Sequence, residues 1–457
     1  MQIIILGGNQ VGGTLAEDLV NEKHDVTVVD VDEDLLQRLQ MTLDLQTIQG
    51  SGCYPDILKK AGAEDADMII AVTNNDEVNL VACQVGHTLY KVPTKIARLR
   101  AHEYFEHQNL FGPTKLPVDV FISPERLVTN YIASLIYHPG ALQVLDFAEG
   151  KVKLVAVKPF FGGPLVGKSL AALGKELKVD ARVVAVFRHN SAIVPTGDTI
   201  IEIGDEIFFL AANKNIRKVM KALRRLDNPY RRLMIAGAGN IGAGVVRKLE
   251  KNYDIKVIEQ NEQRAHQVAS EFQYATVLNG DIADRELLFN ENIEHVDVFC
   301  AVTDDDEANI MSCMLAKKLG VRTVIALIKR SVYVDLIESS TIDIAISPQQ
   351  ATISSILRYV RRGDIMNVHS LRRGAAEAIE IVAHGDESTS QVIGKRIGDI
   401  RLPYGTTIGA IVRDNEVLMG HRSLVIQAND HVILFLTNKR KVSEVEKLFQ
   451  VSLGFFK

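Results

Sequence analysis

Short apolar runs punctuate the first part of the chain: IIIL at 3–6, VTVV at 26–29, MIIAV at 68–72, KIARL at 95–99 and VFI at 120–122, with one more strand counted near 47–49. Runs of three to five residues, rich in Ile and Val, suit strands covered on both faces. Between them, stretches such as 14–21 and 79–89 have helical length and helical apolar spacing. Such alternation predicts a parallel sheet wrapped by helices. Residues 151–225 read differently: KLVAV, a short helix near 170–177, VVAVF, an HNS turn, GDEIFFLA and a final helix near 216–226. That order predicts a compact α+β unit with hairpin-like strands.

The pattern then occurs again. MQIIILGGNQVG (1–12) matches RLMIAGAGNIG (232–242), and VTVVDVD (26–32) matches IKVIEQN (255–261). AVTNNDEVN (71–79) matches AVTDDDEAN (301–309), and FISPE (121–125) answers AISPQ (345–349). Farther along, LVGKSL (165–170) parallels VIGKRI (392–397), and GDEIFFLA (204–211) parallels NDHVILFL (429–436). A period of this kind marks a duplicated architecture. The expected fold class is therefore α/β: two Rossmann-like parallel-sheet lobes, at 1–130 and 231–355, each followed by a smaller α+β lobe, at 140–226 and 368–453. The halves should meet near Leu226-Asp227-Asn228-Pro229, a turn-forming cluster.

Composition narrows the function classes. A net charge of −5 offers no basic face for nucleic acid and no reason to bind an acidic membrane surface. The cysteines Cys53, Cys83, Cys300 and Cys313 form no CxxC pair and no zinc spacing, which suits a reducing cytosol where thiols act as small apolar residues. The opening MQIIILGG has no leader pattern, and no stretch approaches the roughly 18–20 apolar residues that span a bilayer. The expectation is a soluble chain that reaches a membrane only through a partner.

The chemistry concentrates at the strand–helix turns. Gly237-Ala238-Gly239-Asn240-Ile241-Gly242 follows a strand and opens a helix, and Glu259 ends the next strand. In such a fingerprint Gly237 permits the tight turn, Gly239 lets backbone approach a pyrophosphate, and Gly242 lets the helix pack on the strand. The pyrophosphate would meet amide groups at the positive end of the helix. Glu259 would accept hydrogen bonds from ribose hydroxyls and repel a 2′-phosphate. The first copy, Gly7-Gly8-Asn9-Gln10-Val11-Gly12 with Asp30, has Asn9 in place of the middle glycine. A Cβ there obstructs the usual pyrophosphate path, so this lobe would hold its ligand shifted or take a mononucleotide such as ATP or ADP.

Further candidates lie where strand ends should converge. Thr73, Asn74 and Asn75 follow one strand; Thr303 and Asp304 follow its counterpart. Asp76, Glu77, Asp306 and Glu307 read at least as well as solvated or N-capping groups. Arg98 and Arg100 alternate along one strand and should share a face, suiting phosphate, whereas the matching positions hold Leu327 and Lys329. The candidate nucleotide-binding set also takes in Ser51 and Asp281.

Three patterns look catalytic and carry little. Gly162-Gly163-Pro164-Leu165-Val166-Gly167-Lys168-Ser169 satisfies the P-loop spacing, but its counterpart has Thr389 and Arg396 where a glycine and a hydroxyl belong. A turn into a helix is the plainer reading. His102 and His107 stand five apart, the wrong spacing for zinc ligands on a helical face. No tyrosine has a lysine four residues later, which removes the short-chain dehydrogenase arrangement but not every dehydrogenase.

The opening IIILGGNQVGGTLAEDL, the paired AVT segments and both GK-containing small units, taken in order over the whole chain, resemble the TrkA family, the peripheral regulatory subunits of Trk potassium uptake systems. That resemblance implies tandem RCK (KTN) domains, NAD(H), ATP and ADP as ligands and no catalysis. It implies a homotetrameric ring at the cytoplasmic face of the cell membrane, beneath a TrkH-type potassium channel subunit that the ring gates. Two other readings stay open on residues alone: an NAD-dependent oxidoreductase, and an RCK-type regulator of another cation channel or exchanger.

Overall fold

The computed structural model describes residues 1–159, 166–177, 179–189, 191–223, 229–330, 332–334, 342–361, 365–371 and 376–451. Two compact units divide it: residues 1–127 with 348–357, and residues 128–347 with 358–457.

In the first unit six parallel strands, β1 (Gln2–Leu6), β2 (Asp25–Asp30), β3 (Gln46–Gln49), β4 (Met68–Ala71), β5 (Thr94–Arg98) and β6 (Val120–Ile122), line up in the order 3-2-1-4-5-6. This is the doubly wound order that the alternating pattern calls for, with its reversal point between β1 and β4. Ile4, Leu6, Ile69 and Ala71 are buried, which is why those strands read as continuous apolar runs. The intervening helices are α1 (Gln10–Asn21), α2 (Glu33–Thr42), α3 (Pro55–Lys60), α4 (Asp76–Tyr90) and the single turn α5 (Glu103–Glu106).

The second unit repeats this sheet. Strands β12 (Arg232–Ala236), β13 (Asp254–Glu259), β14 (Ala275–Asn279), β15 (Val298–Ala301), β16 (Thr323–Leu327) and β17 (Ile344–Ile346) stand in the order 14-13-12-15-16-17. Helices α9 (Asn240–Leu249), α10 (Glu262–Glu271), α11 (Arg285–Asn290) and α12 (Asp306–Lys318) connect them.

The same unit contains both smaller lobes. One is a five-stranded sheet of β7 (Gln143–Phe147), β8 (Val152–Val157), β9 (Ala181–Arg188), β10 (Ser191–Ile193) and β11 (Glu206–Ala212), with α7 (Leu170–Leu177) and α8 (Ile216–Leu223). The other is built from β18 (Ile365–Leu371), β19 (Ala376–Val382), β20 (Thr406–Arg413), β21 (Glu416–Met419) and β22 (His431–Leu436), with α14 (Val442–Phe449). Their antiparallel strand orders coincide, yet the second copy has only a three-residue 3-10 turn at Ile397–Asp399 where the first has α7. The reason is local: IGDIRLP carries Gly398 and Pro403, whereas LAALGKEL is rich in good helix formers. The two sheets share an apolar core that includes Phe147, Leu154, Phe208 and Leu210 from one side and Ala378, Ala410, Val412 and Phe435 from the other.

Two helices depart from a division by sequence order. Helix α6 (Pro124–Tyr137) buries Val128, Ile132, Leu135 and Ile136 in one core with Leu233, Ile235 and Val246 of the second Rossmann sheet. Gly244 makes room, since a Cβ there would stand 2.8 Å from Thr129 Oγ1. Conversely, the first ten residues of α13 (Pro348–Val360) belong to the first unit, and Gln349 Nε2 donates to Gln10 O at 2.8 Å and Thr14 Oγ1 at 2.7 Å. A helical stripe shows which face is buried, not which sheet buries it. The expected junction at 226–229 falls largely outside the described residues, since only Pro229 is described.

Among the described residues no helix is long and apolar enough to cross a membrane.

Candidate nucleotide-binding site

Both Rossmann lobes turn from first strand to first helix through a left-handed glycine, Gly7 at φ 99° and Gly237 at φ 102°. A Cβ on Gly12 would stand 1.8 Å from Gly7 O, and one on Gly242 1.9 Å from Gly237 O. Only glycine lets these helices approach the turn so closely. A Cβ on Gly7 would also meet Thr73 Cα at 3.0 Å, and one on Gly237 would meet Thr303 Cγ2 at 2.9 Å. The glycine turns and the Thr73 and Thr303 loops therefore meet at the β1/β4 and β12/β15 reversal points, where open α/β sheets hold ligands.

The acids at the ends of β2 and β13 face the turns. Asp30 Oδ2 accepts from Gly8 N at 2.6 Å, and Oδ1 accepts from Asp32 N at 3.0 Å. Glu259 repeats this with Ala238 N at 2.8 Å and Asn261 N at 2.9 Å. Each carboxylate thus fixes a peptide of the turn.

The lobes differ in how their helices start. Asn9 caps α1: its Oδ1 accepts from Val11 N at 3.0 Å and Gly12 N at 3.3 Å, and its Nδ2 donates to Val72 O at 3.1 Å. Gly239 has nearly the same backbone, φ −64° and ψ −172° against −58° and −174°, but no side chain caps α9. A Cβ built on Gly239 meets nothing within 4 Å. The α9 amides of Ile241 and Gly242 therefore have no side-chain cap at the positive end of their helix, beside the open space at Gly239. In the first lobe Asn9 already occupies the equivalent donors.

Beyond β4 and β15, Thr73 and Thr303 are held alike. Thr73 N and Oγ1 donate to Asn79 Oδ1 at 3.1 and 2.7 Å, and Asn79 Nδ2 donates to Arg98 O at 2.8 Å. Thr303 and Asn309 repeat this, with Asn309 Nδ2 donating to Leu327 O at 3.0 Å. Asn79 and Asn309 are fully buried and set the loop's shape. Sequence reasoning passed over both, although each ends a repeated segment. Asn75 and Asp305 cap α4 and α12. Asp76 and Asp306 are neither solvated nor N-caps, contrary to expectation: both are buried, Asp76 accepting the Arg100 and Ala101 amides and Asp306 those of Lys329 and Arg330. Ser51 Oγ lies 3.1 Å from Cys53 Sγ, and Asp281 Oδ1 accepts from Ala283 N at 2.8 Å.

Arg98 and Arg100 part company. Strand β5 ends at Arg98, so strand alternation does not extend to Arg100. Arg100 Nε is paired with Glu125 Oε1 at 3.1 Å. Arg98 Nη1 stands 3.5 Å from Asn74 Oδ1, and its buried Nε has no hydrogen-bond partner. Burial, with Arg100's charge nearby, pulls its pKa below the usual arginine value. A half-buried guanidinium with an unpaired Nε suits an anionic ligand. In the second lobe Lys329 Nζ is held by Asp304 Oδ1 at 2.5 Å.

The patterns set aside are only partly described. Gly162, Gly163, Pro164 and Leu165 lie outside the described residues, but Ser169 Oγ accepts from Ala172 N at 3.4 Å at the start of α7. His102 pairs with Glu106 at 3.4 Å rather than facing His107. Burial pushes the Cys83 and Cys300 thiols up to about 12, too high for a thiolate nucleophile at neutral pH.

Comparison with known proteins matches this architecture. The TrkA-N domain model matches residues 3–124 and 233–348, and the TrkA-C domain model matches 154–224 and 386–450. Trk system potassium uptake protein TrkA of Vibrio alginolyticus is 58% identical over 457 residues, and that of Halomonas elongata 56%, each covering 100% of both chains. The Haemophilus influenzae protein of the same name is 49% identical over the same span. In fold, the chain resembles the crystal structure of the GsuK RCK domain, with a TM-score of 0.61 at 18% identity, covering 98% of this chain and 94% of that one. It also resembles the GsuK channel bound to NAD, with a TM-score of 0.62 at 17% identity over 98% of this chain and 79% of that one. The chain belongs to the TrkA family of Trk system potassium uptake proteins.

Proposed function

We propose that this chain is the nucleotide-responsive regulatory subunit of a Trk potassium uptake system. The observation that carries the reading is the second glycine turn: an uncapped helix start at Gly239, open space beside it, and Glu259 across the turn. In this reading the second lobe binds NAD(H), and the first, self-capped by Asn9, takes ATP or ADP with Arg98 toward the phosphates. The named relatives and the GsuK channel bound to NAD support both the potassium system and the ligand class.

The protein catalyses nothing in this proposal. A ligand that binds one arrangement of the assembly more tightly shifts the population toward it, and coupling to the channel equals that difference in binding energy. The chain self-associates as a homotetramer and docks on the cytoplasmic face of the membrane through a TrkH-type subunit, giving a duplicated surface to a symmetric partner.

The test is equilibrium binding of NADH, NAD, NADPH, ATP and ADP to the purified chain, with a turnover assay alongside. Saturable binding without consumption of NADH is the expected result. Steady NADH oxidation that a Gly239 substitution abolishes would overturn the regulatory reading.

A further inference from the structure

The peptide Ala238 is held from both sides. Glu259 accepts its N–H, and Arg264 Nε donates to its carbonyl at 3.0 Å. Arg264 lies in the first turn of α10, where Asn261 caps the helix by accepting the Arg264 amide at 2.9 Å. Its Nη1 reaches Gln267 Oε1 at 2.8 Å, so the guanidinium plane is fixed at two edges while the side chain remains half-buried. Leu35 stands at the matching position of the first lobe, one turn into α2 after the Asp32 cap. It packs so closely on the turn that a Cβ on Gly8 would meet Leu35 Cδ2 at 2.3 Å. One lobe therefore flanks its ribose-facing acid with a planar cation and the other with an aliphatic side chain.

We propose that Arg264 is the base-side specificity residue of the second lobe, its fixed guanidinium plane serving as the platform on which the adenine of a dinucleotide stacks. The inference rests on the nucleotide reading above and deepens it. Glu259 and Arg264 hold the two sides of one peptide, so a base carried by a ribose at Glu259 would have the Arg264 guanidinium as its neighbour. Guanidinium planes stack on aromatic faces through dispersion and cation–π attraction. Hydrogen bonds to Ala238 and Gln267 lower the entropic cost of presenting the plane.

The test titrates the full-length chain with NADH and with reduced nicotinamide mononucleotide, which has no adenosine, for wild type, Arg264→Leu and Arg264→Lys. Stacking of a base is worth about 1–3 kcal/mol, or roughly five- to a hundredfold in affinity. Arg264→Leu should weaken NADH by at least about fivefold at one site per chain and change the mononucleotide by less than about twofold. Arg264→Lys keeps the charge and loses the plane, so it should resemble the leucine variant. Equal weakening of both probes would show that Arg264 only pins the turn, and full retention by lysine would reduce it to a point charge; either result overturns the platform. Absence of NADH binding in the wild type would instead remove the underlying nucleotide reading.

Discussion

Glu259 Oε2 lies 2.8 Å from the amide nitrogen of Ala238, so the acid expected to meet a ribose already braces the glycine turn without a ligand. Losing a hydrogen bond to a charged group costs about 1.5–3 kcal/mol. Glu259→Ala should therefore weaken NADH by roughly ten- to a hundredfold, and should lower the thermal midpoint as well. Glu259→Gln separates the two roles. Its amide oxygen can still accept from Ala238, but it no longer repels a 2′-phosphate. Its preference for NADH over NADPH should narrow while its melting temperature stays closer to wild type. An unchanged NADH affinity in both variants would place the site elsewhere.

Asn9 and Gly239 share a backbone conformation and differ in what they do to the helix amides. Asn9→Gly removes the cap at a cost of only a few tenths of a kcal/mol by the usual ranking, plus the contact to Val72 O. It frees the α1 amides and should raise dinucleotide affinity in the first lobe. Gly239→Asn is the mirror test. The added side chain enters open space, so the lobe should remain folded, with α9 capped and NADH affinity reduced at least about tenfold by competition for the same donors. Calorimetric titration of both variants, with unfolding curves alongside, reads the exchange.

Half-buried His369 packs beside the core shared by the two small sheets, its ring edge-on to Phe147 at 5.0 Å and its Nε2 3.2 Å from Asp146 O. Desolvation lowers its pKa below 6.5 against the opposing pull of Asp146 and Glu380, with Arg358 adding to the lowering. Above pH 6.5 the ring is neutral in folded and unfolded chains and contributes no pH dependence. Below it the unfolded chain takes up the proton first, so stability falls with pH until the folded pKa is passed. His369→Gln should flatten the unfolding midpoint between pH 7 and 5. It should leave the slope due to His138, whose half-buried ring is lowered in the same sense. Equal slopes in wild type and variant would remove His369 from the acid sensitivity.

Legibility followed the physics of burial. Val26, Val28 and Val29 in β2 and Ile69 and Ile70 in β4 are buried, and strands covered on both faces announce themselves as apolar runs. The outer strands β7 and β18 were passed over because QVLDF and IMNVHSL interrupt that pattern with Asp146, Asn367 and His369, whose polar groups find partners only in three dimensions. The glycine turns and their acids were legible because a left-handed turn and a close helix leave few choices of residue. Asn79, Asn309 and Arg264 were not, since a buried asparagine and a first-turn arginine carry no periodic signature. The exchange of α6 and α13 was invisible for the same reason: Val128, Ile132 and Leu135 declare a buried stripe without naming its partner.

The two arginines of the first lobe divide the phosphate question between them. Arg100 is already paired with Glu125 at 3.1 Å, and that carboxylate is largely buried while the arginine is half exposed. Because Glu125 is largely buried, Arg100→Ala should cost more stability than the loss of a fully exposed pair, which is worth about 0–1 kcal/mol, yet leave the ratio of ATP to ADP affinity nearly unchanged. Arg98 is the sharper probe. Its Nε is buried without a partner, and Asn74 lies at the outer limit of hydrogen-bond distance. An incoming phosphate would satisfy that donor, and a charge-assisted contact is about twice as strong as a neutral one. ATP carries more negative charge than ADP, so Arg98→Ala should lower ATP affinity more than ADP affinity and shrink their ratio several-fold. The same substitution removes an unsatisfied buried donor, so the ligand-free chain should lose little stability or gain some. Competition titrations of ATP and ADP, with a sizing column to follow assembly, decide the matter. A ratio unchanged in Arg98→Ala but collapsed in Arg100→Ala would hand the phosphate role to Arg100. Loss of the oligomer with an unchanged ratio in both variants would make this corner an assembly contact and remove phosphate recognition from it.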